Sequence, residues 1–121
     1  MLAAAIVAHA LGWWLPVVRD YRGWQAFRVA FSPIWPFEQF RIEPGLLLVL
    51  SVASALTNVA FVAFAGLVAA GRHRALVTYG AAAAAAVDLH WPISMGSQRS
   101  QLELGYPVWV ASFLLLALAA W

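Results

Sequence analysis

The sequence predicts an all-α, integral membrane four-helix bundle with an interfacial amphipathic segment between its first and second helices, on three observations. First, Leu46–Ala70 reads LLLVLSVASALTNVAFVAFAGLVAA without one charged side chain and stops at Gly71-Arg72-His73-Arg74. At about 1.5 Å of rise per residue, such a helix crosses a hydrocarbon core of about 30 Å with room to tilt. Second, a chain that is 64% hydrophobic and 10% charged has too little polar surface to cover a water-soluble globule. Third, further apolar segments at 2–18, 75–93 and 104–121 alternate with polar or basic connections. The whole chain, 1–121, reads as one transmembrane domain.

The first segment, LAAAIVAHALGWWLPVV, is short for a span and is interrupted by His9, Gly12 and Pro16. A cleaved signal peptide is the competing reading, because Ala8-His9-Ala10 has a small-x-small pattern. The apolar run before that site is very short and no basic region precedes it, so the segment is read as a helix with Trp13 and Trp14 near its far interface. The connection 19–45 divides at Ser32-Pro33. Before the division, helical geometry puts Trp24, Phe27 and Phe31 on one face with Arg22 and Gln25 turned away, which predicts a short helix in the headgroup layer. After it, prolines at 33, 36 and 44 forbid a continuous helix and predict a bulky chain folded over the end of the bundle.

Gly71-Arg72-His73-Arg74 suits a helix C-cap followed at once by the next helix. That third segment, ALVTYGAAAAAAVDLHWPI, is rich in Ala and Gly, so it is expected inside the bundle, where backbones approach closely. Residues 94–105 form a polar loop, and the fourth segment ends in Trp121. Four spans put both termini on one side. The count of basic residues, Arg19, Arg22, Arg28, Arg41 and Arg99 against Arg72, Arg74 and the terminal amine, argues for termini outside; the closeness of Arg72 and Arg74 to two helix ends argues the reverse.

Composition also excludes several chemistries. The net charge of +2 is spread thinly, so nucleic acid is not an expected partner. With no cysteine there are no disulfides, thiolate metal sites, iron–sulfur clusters or thiol redox steps. All seven basic residues are arginine, which fits either phosphate recognition or a GC-rich genome, and the alanine run Ala81–Ala86 fits the latter.

Four pieces in order carry a family resemblance: Tyr21-Arg22-Gly23-Trp24-Gln25-Ala26, Asn58, the basic turn Gly71-Arg72-His73-Arg74-Ala75, and the stretch LELGYPVWVAS at 102–112. Together they resemble a widespread group of small uncharacterised bacterial four-helix membrane proteins, in which a Gly-Tyr-x-x-Trp-x-x-Ser-like stretch opens the last helix. The resemblance implies a bacterial inner-membrane location with the termini and the 71–75 turn cytoplasmic, and it implies no activity. The chain departs from that pattern in its longer, proline-rich segment at 32–44. Its long first loop and short second one also look like the arrangement of claudins, but the Gly-Leu-Trp and paired-cysteine signature is missing.

Asp88-Leu89-His90-Trp91 is the most pointed constellation, since ionisable groups in an apolar segment are costly. An acid two residues from a histidine does not share a helix face with it, and Pro92 marks the end of the helix. Asp88 and His90 are therefore expected at the wet interface, Asp88 capping the loop or pairing with Arg99 or a loop arginine, with proton transfer or ligand binding as the alternative. His9 near the middle of its helix and His90 near the end of its own lie at different depths, so a shared haem is disfavoured and no cofactor or metal is expected. Ser51, Ser54 and Asn58 line one stripe of the central helix and are read as helix-packing contacts rather than a transport path. Glu103, Tyr106 and Trp109 face one way at spacing i, i+3, i+6, with Glu103 expected to cap the helix. The candidate contacts for a ligand or partner are Arg22, Trp24, Asp88, His90, Trp91, Glu103, Tyr106 and Trp109, and no residue is assigned a catalytic role.

Functionally, the sequence is read as a non-catalytic accessory, assembly or structural subunit of a larger membrane complex, with lipids, other membrane subunits or itself as partners. The alternatives are a lipid-handling protein or enzyme using Asp88, His90 and loop arginines at the headgroup level, or a channel or transporter subunit.

Overall fold

The computed structural model describes Met1–Trp121 and is built from six helices: α1 (Leu2–Trp14), α2 (Gly23–Ala30), α3 (Leu46–Ala69), α4 (Arg74–Asp88), α5 (His90–Ser94) and α6 (Gly105–Ala120). A small antiparallel hairpin, β1 (Pro16–Val18) and β2 (Tyr21–Arg22), and a 3-10 turn at Gly96–Gln101 complete it. The chain is all-α in class. One helix, Leu46–Ala69, is long and apolar enough to cross a membrane.

Four helices, α1, α3, α4 and α6, run antiparallel in sequence order, so both termini share an end with the turn between α3 and α4. That turn forms where the residues require it. Gly71 adopts a left-handed φ of 65°, Arg72 N–H donates to Leu67 O and Gly71 N–H to Val68 O, both at 2.9 Å. This pair of bonds satisfies carbonyls that the helix end would leave open.

In lateral order, α1 packs on α6, α6 on α4, and α4 on α3, while α1 and α3 meet only sparsely. The seam between α1 and α3 is held lower down by His9, whose ring stacks on Phe61 at 3.8 Å and meets Phe113 edge-on. Ser112 gives its single proton to Trp109 O at 2.6 Å, so His9 Nδ1–H donates to Ser112 Oγ at 3.0 Å. Nε2 then accepts from Trp13 Nε1–H at 3.3 Å. With both ring nitrogens engaged, His9 ties α1 to α6 and to α3. His9→Phe keeps the stack and deletes both polar bonds, with an expected cost of about 1–2 kcal/mol. Thermal unfolding of the purified protein measures it, and an unchanged midpoint would refute the role.

The opposite end is roofed. The first helix stops at Trp14, not Val18, because Leu15 precedes a proline and turns extended (φ −74°, ψ 152°). The chain then pairs as a hairpin that also joins the segment before α6: Val18 bridges Leu102, Arg19 N–H donates to Gln101 O at 3.0 Å, and Glu103 N–H to Val17 O at 2.9 Å. Beside this patch lies α2. Its Ala26, Phe27 and Ala30 turn toward the bundle, whereas Trp24, expected on the same face as Phe27, is half-exposed. The proline-rich stretch is pinned by Arg28, whose guanidinium lies 3.7 Å from the Trp35 ring centre and donates to Pro36 O at 3.3 Å.

The third apolar segment is broken at Leu89 rather than continuous to Ile93. Pro92 has no N–H to offer the carbonyl of Asp88 four residues earlier. Tyr106 supplies the missing donor, its hydroxyl bonding Asp88 O at 2.9 Å. The alanine-rich helix is also less enclosed than expected. Ala81, Ala84 and Ala85 are buried, but Tyr79, Ala82, Ala83 and Ala86 form an exposed face.

Candidate functional site

At the roofed end, the sparse α1–α3 seam widens into a chamber of about 470 Å³. Its walls are mainly apolar and aromatic: Trp13 from α1, Phe27 from α2, Trp91 from α5, and Tyr106 and Trp109 from α6. Small residues from three elements, Gly12, Gly23, Ala26 and Ala55, are part of its wall; at Gly12 and Gly23 the missing Cβ is what lets α1 approach α6 and α2 closely. Polar groups occupy two levels. Ser54 and Asn58 lie on α3, within the bundle; Arg19, Gln98 and Gln101 belong to the roof.

Behind the inner wall is a buried polar network. Asp88 has no exposed surface, and Ser54 Oγ–H donates to its Oδ1 at 2.8 Å. Ser54 Oγ accepts in turn from Trp91 Nε1–H at 3.0 Å. Thr57 has one proton and three acceptors in reach: Ser54 O at 2.6 Å, Asp88 Oδ2 at 3.2 Å and Asp88 Oδ1 at 3.3 Å. The backbone carbonyl is nearest, so Ser54 is the main donor to the carboxyl group. One step along α3, Asn58 Oδ1 accepts from Trp109 Nε1–H at 3.0 Å, and its amide lies against the carbonyls of Ser54 and Ala55 at 3.4 and 3.3 Å. Two tryptophan N–H groups, from α5 and α6, thus clamp the same face of α3.

This arrangement corrects the expected place of Asp88. It lies inside the bundle against Ser54 and Thr57, not at a wet interface beside Arg99 or a loop arginine. The helix does end there, but its last residue turns toward α3, with Trp91 of α5 bonded to Ser54 and Tyr106 of α6 bonded to the Asp88 carbonyl beside it. His90 is buried too, with Nδ1–H donating to Val87 O at 2.8 Å and Nε2 unpartnered.

The other candidate residues divide. Trp91, Tyr106 and Trp109 line the chamber, and Asp88 stands behind it. Arg22, Trp24 and Glu103 do not line it. Glu103 is exposed and makes no side-chain cap; its carbonyl receives Tyr106 N–H at 3.0 Å while Leu104 occupies the cap position. Arg22 is exposed, its N–H donating to Gln25 Oε1 at 2.9 Å. Ser51, Ser54 and Asn58 are all buried, but only the last two reach the chamber. Sequence reasoning reached Arg19 only as one of the loop arginines, and missed Gln98, Gln101 and the small residues of the wall; spacing within one helix carries no signal for them.

Comparison of the chain with protein-family models, curated proteins and solved structures found no match.

Proposed function

We propose that the protein is an integral membrane four-helix bundle that binds an amphiphilic ligand from the bilayer in the roofed chamber, acting as a binding protein rather than a catalyst. The observation that carries this reading is the chamber itself: a volume in the range of small-molecule sites, aromatic walls, and a few polar groups at its two ends.

Membrane embedding is supported by the distribution of side chains. Nine of the 25 buried residues are polar or charged, while Ile6, Val7, Leu56, Val59, Val62, Leu114 and Leu118 are exposed. Only 33% of the apolar window of α3 is buried, unlike the core helix of a water-soluble domain. Lipid is the solvent that tolerates this pattern. At about 1.5 Å per residue, α1 (13 residues) and α6 (16 residues) fall short of a hydrocarbon core of about 30 Å, so the hairpin and loops complete the passage on their side. For orientation, termini and the 71–75 turn in the cytoplasm of a bacterial cell follow the resemblance of that basic turn.

The test is lipid analysis of protein extracted from its native membrane into polymer-bounded discs. The wild-type discs should be enriched in one amphiphile over discs of an Ala26→Phe variant, whose ring enters the chamber; identical lipid profiles from two folded proteins would refute the reading. The accessory-subunit reading is favoured by a different observation, the exposed small face of α4 at Ala82, Ala83 and Ala86, which suits close helix docking. It predicts a co-purifying membrane partner or a second copy in the same discs.

A further inference from the structure

The chamber's charge distribution is one-sided. Arg19 is the only charged residue among those lining it, and it is exposed at the roof. The Asp88 carboxyl is separated from the cavity by Ser54, and the nearby Glu38 receives the Tyr21 hydroxyl at 3.2 Å. Arg19 is also held in place. Its backbone is in the left-handed region (φ 50°), which a non-glycine residue adopts only when its surroundings hold it there. Here Arg19 N–H donates to Gln101 O at 3.0 Å and Nε–H to Gln101 Oε1 at 2.9 Å. The side-chain bond uses the Nε edge of the guanidinium and leaves the two terminal nitrogens, the pair that can grip an oxyanion with parallel hydrogen bonds.

Building on the chamber reading above, we infer that the ligand is a single-chain amphiphile with an anionic head, a carboxylate or a phosphate monoester, bound at the rim by Arg19 with its chain running inward past Ala26 toward Trp109. The direction follows from the walls: charge lies only at the roof, aromatic surface lies below it, and the inner polar groups Ser54 and Asn58 already have partners in Asp88, Trp91 and Trp109. It is also the direction in which a lipid of that leaflet already stands, head toward water and chain toward the midplane. Such a ligand enters the chamber without inverting. The inner groups favour no second charge, since nothing cationic stands there.

Trp13, Trp91 and Trp109 line the chamber and make the test optical. The purified full chain in lipid nanodiscs is titrated with ω-bromododecanoate, ω-bromododecyl phosphate, ω-bromododecanol and the matching trimethylammonium amphiphile, and quenching of tryptophan emission is followed. Saturable quenching is expected with the two anions, weakened about tenfold by Arg19→Gln and largely retained by Arg19→Lys, with the alcohol binding weakly and indifferent to either change. Ala26→Phe should abolish the saturable component for all probes. If acid, alcohol and ammonium saturate alike and Arg19→Gln changes nothing, the head-group assignment is overturned while the chamber reading stands. If no probe gives a saturable component in wild-type protein whose circular dichroism is helical, the chamber reading falls with it.

Discussion

Asp88→Ala should destabilise the bundle by about 2–3 kcal/mol, and Asp88→Asn by much less. Alanine removes the acceptor of the Ser54 hydroxyl and leaves a void in a site with no exposed surface, while Thr57 keeps its bond to Ser54 O. A single hydrogen bond contributes modestly, so the size of the effect rests on losing this acceptor and opening a cavity at the same point. Asparagine has nearly the same shape. Its carbonyl oxygen can take the Ser54 proton, and its amide brings an N–H to Thr57 Oγ1, whose own proton is directed at Ser54 O at 2.6 Å. An amide therefore fits the proton inventory of this pocket at least as well as an ionised carboxylate. Unfolding midpoints in a fixed detergent would show Ala well below wild type and Asn close to it. If Asn were as damaging as Ala, the charge of Asp88 would be doing something that Ser54 and Thr57 do not explain.

The same residue marks how far the sequence could be read. Pro92 announced correctly that a helix ends near Asp88, because a missing N–H is a local property. What the helix end does not announce is depth. Asp88 is buried because its side chain meets Ser54 and Thr57 of α3 while Tyr106 of α6 takes its carbonyl, and these are contacts between residues 34, 31 and 18 apart. Helical class, the long apolar α3 and the short helix before the prolines were legible for the opposite reason: each is a periodic or compositional property of one continuous stretch. The polar stripe of α3 was legible as a stripe. Its partners were not, since the tryptophans that reach Ser54 and Asn58 come from 37 and 51 residues away. The chamber was least legible, because a cavity is made by what several elements omit, and a glycine or alanine in the sequence looks the same whether it faces space, lipid or a neighbouring backbone.

Gly12 makes that last point testable, because Gly12→Ala and Gly66→Ala add the same methyl group to two apolar helices and should have opposite effects. A Cβ on Gly12 would lie 2.8 Å from Trp109 Cβ and 3.0 Å from Trp109 Cα, in contact with the α6 main chain rather than with a flexible tip. On its other side α1 has no room to retreat, since Gly23 sits so close to the Gly12 carbonyl that a Cβ at 23 would overlap that oxygen. The added methyl must therefore wedge α1 from α6, and overpacking of this kind costs about 1–3 kcal/mol. Wedging also moves Trp109, which lengthens its bond to Asn58, and it changes the chamber that Gly12 and Trp109 both line. At Gly66 nothing lies within 4 Å of the added Cβ, so alanine there gains about 0.5–1 kcal/mol from its better helix propensity. Thermal unfolding should separate the two variants in opposite directions from wild type, and amphiphile quenching should fall in Gly12→Ala alone. Equal behaviour of the two would mean that α1 and α6 do not meet at Gly12, and the packing that shapes the chamber would have to be redrawn.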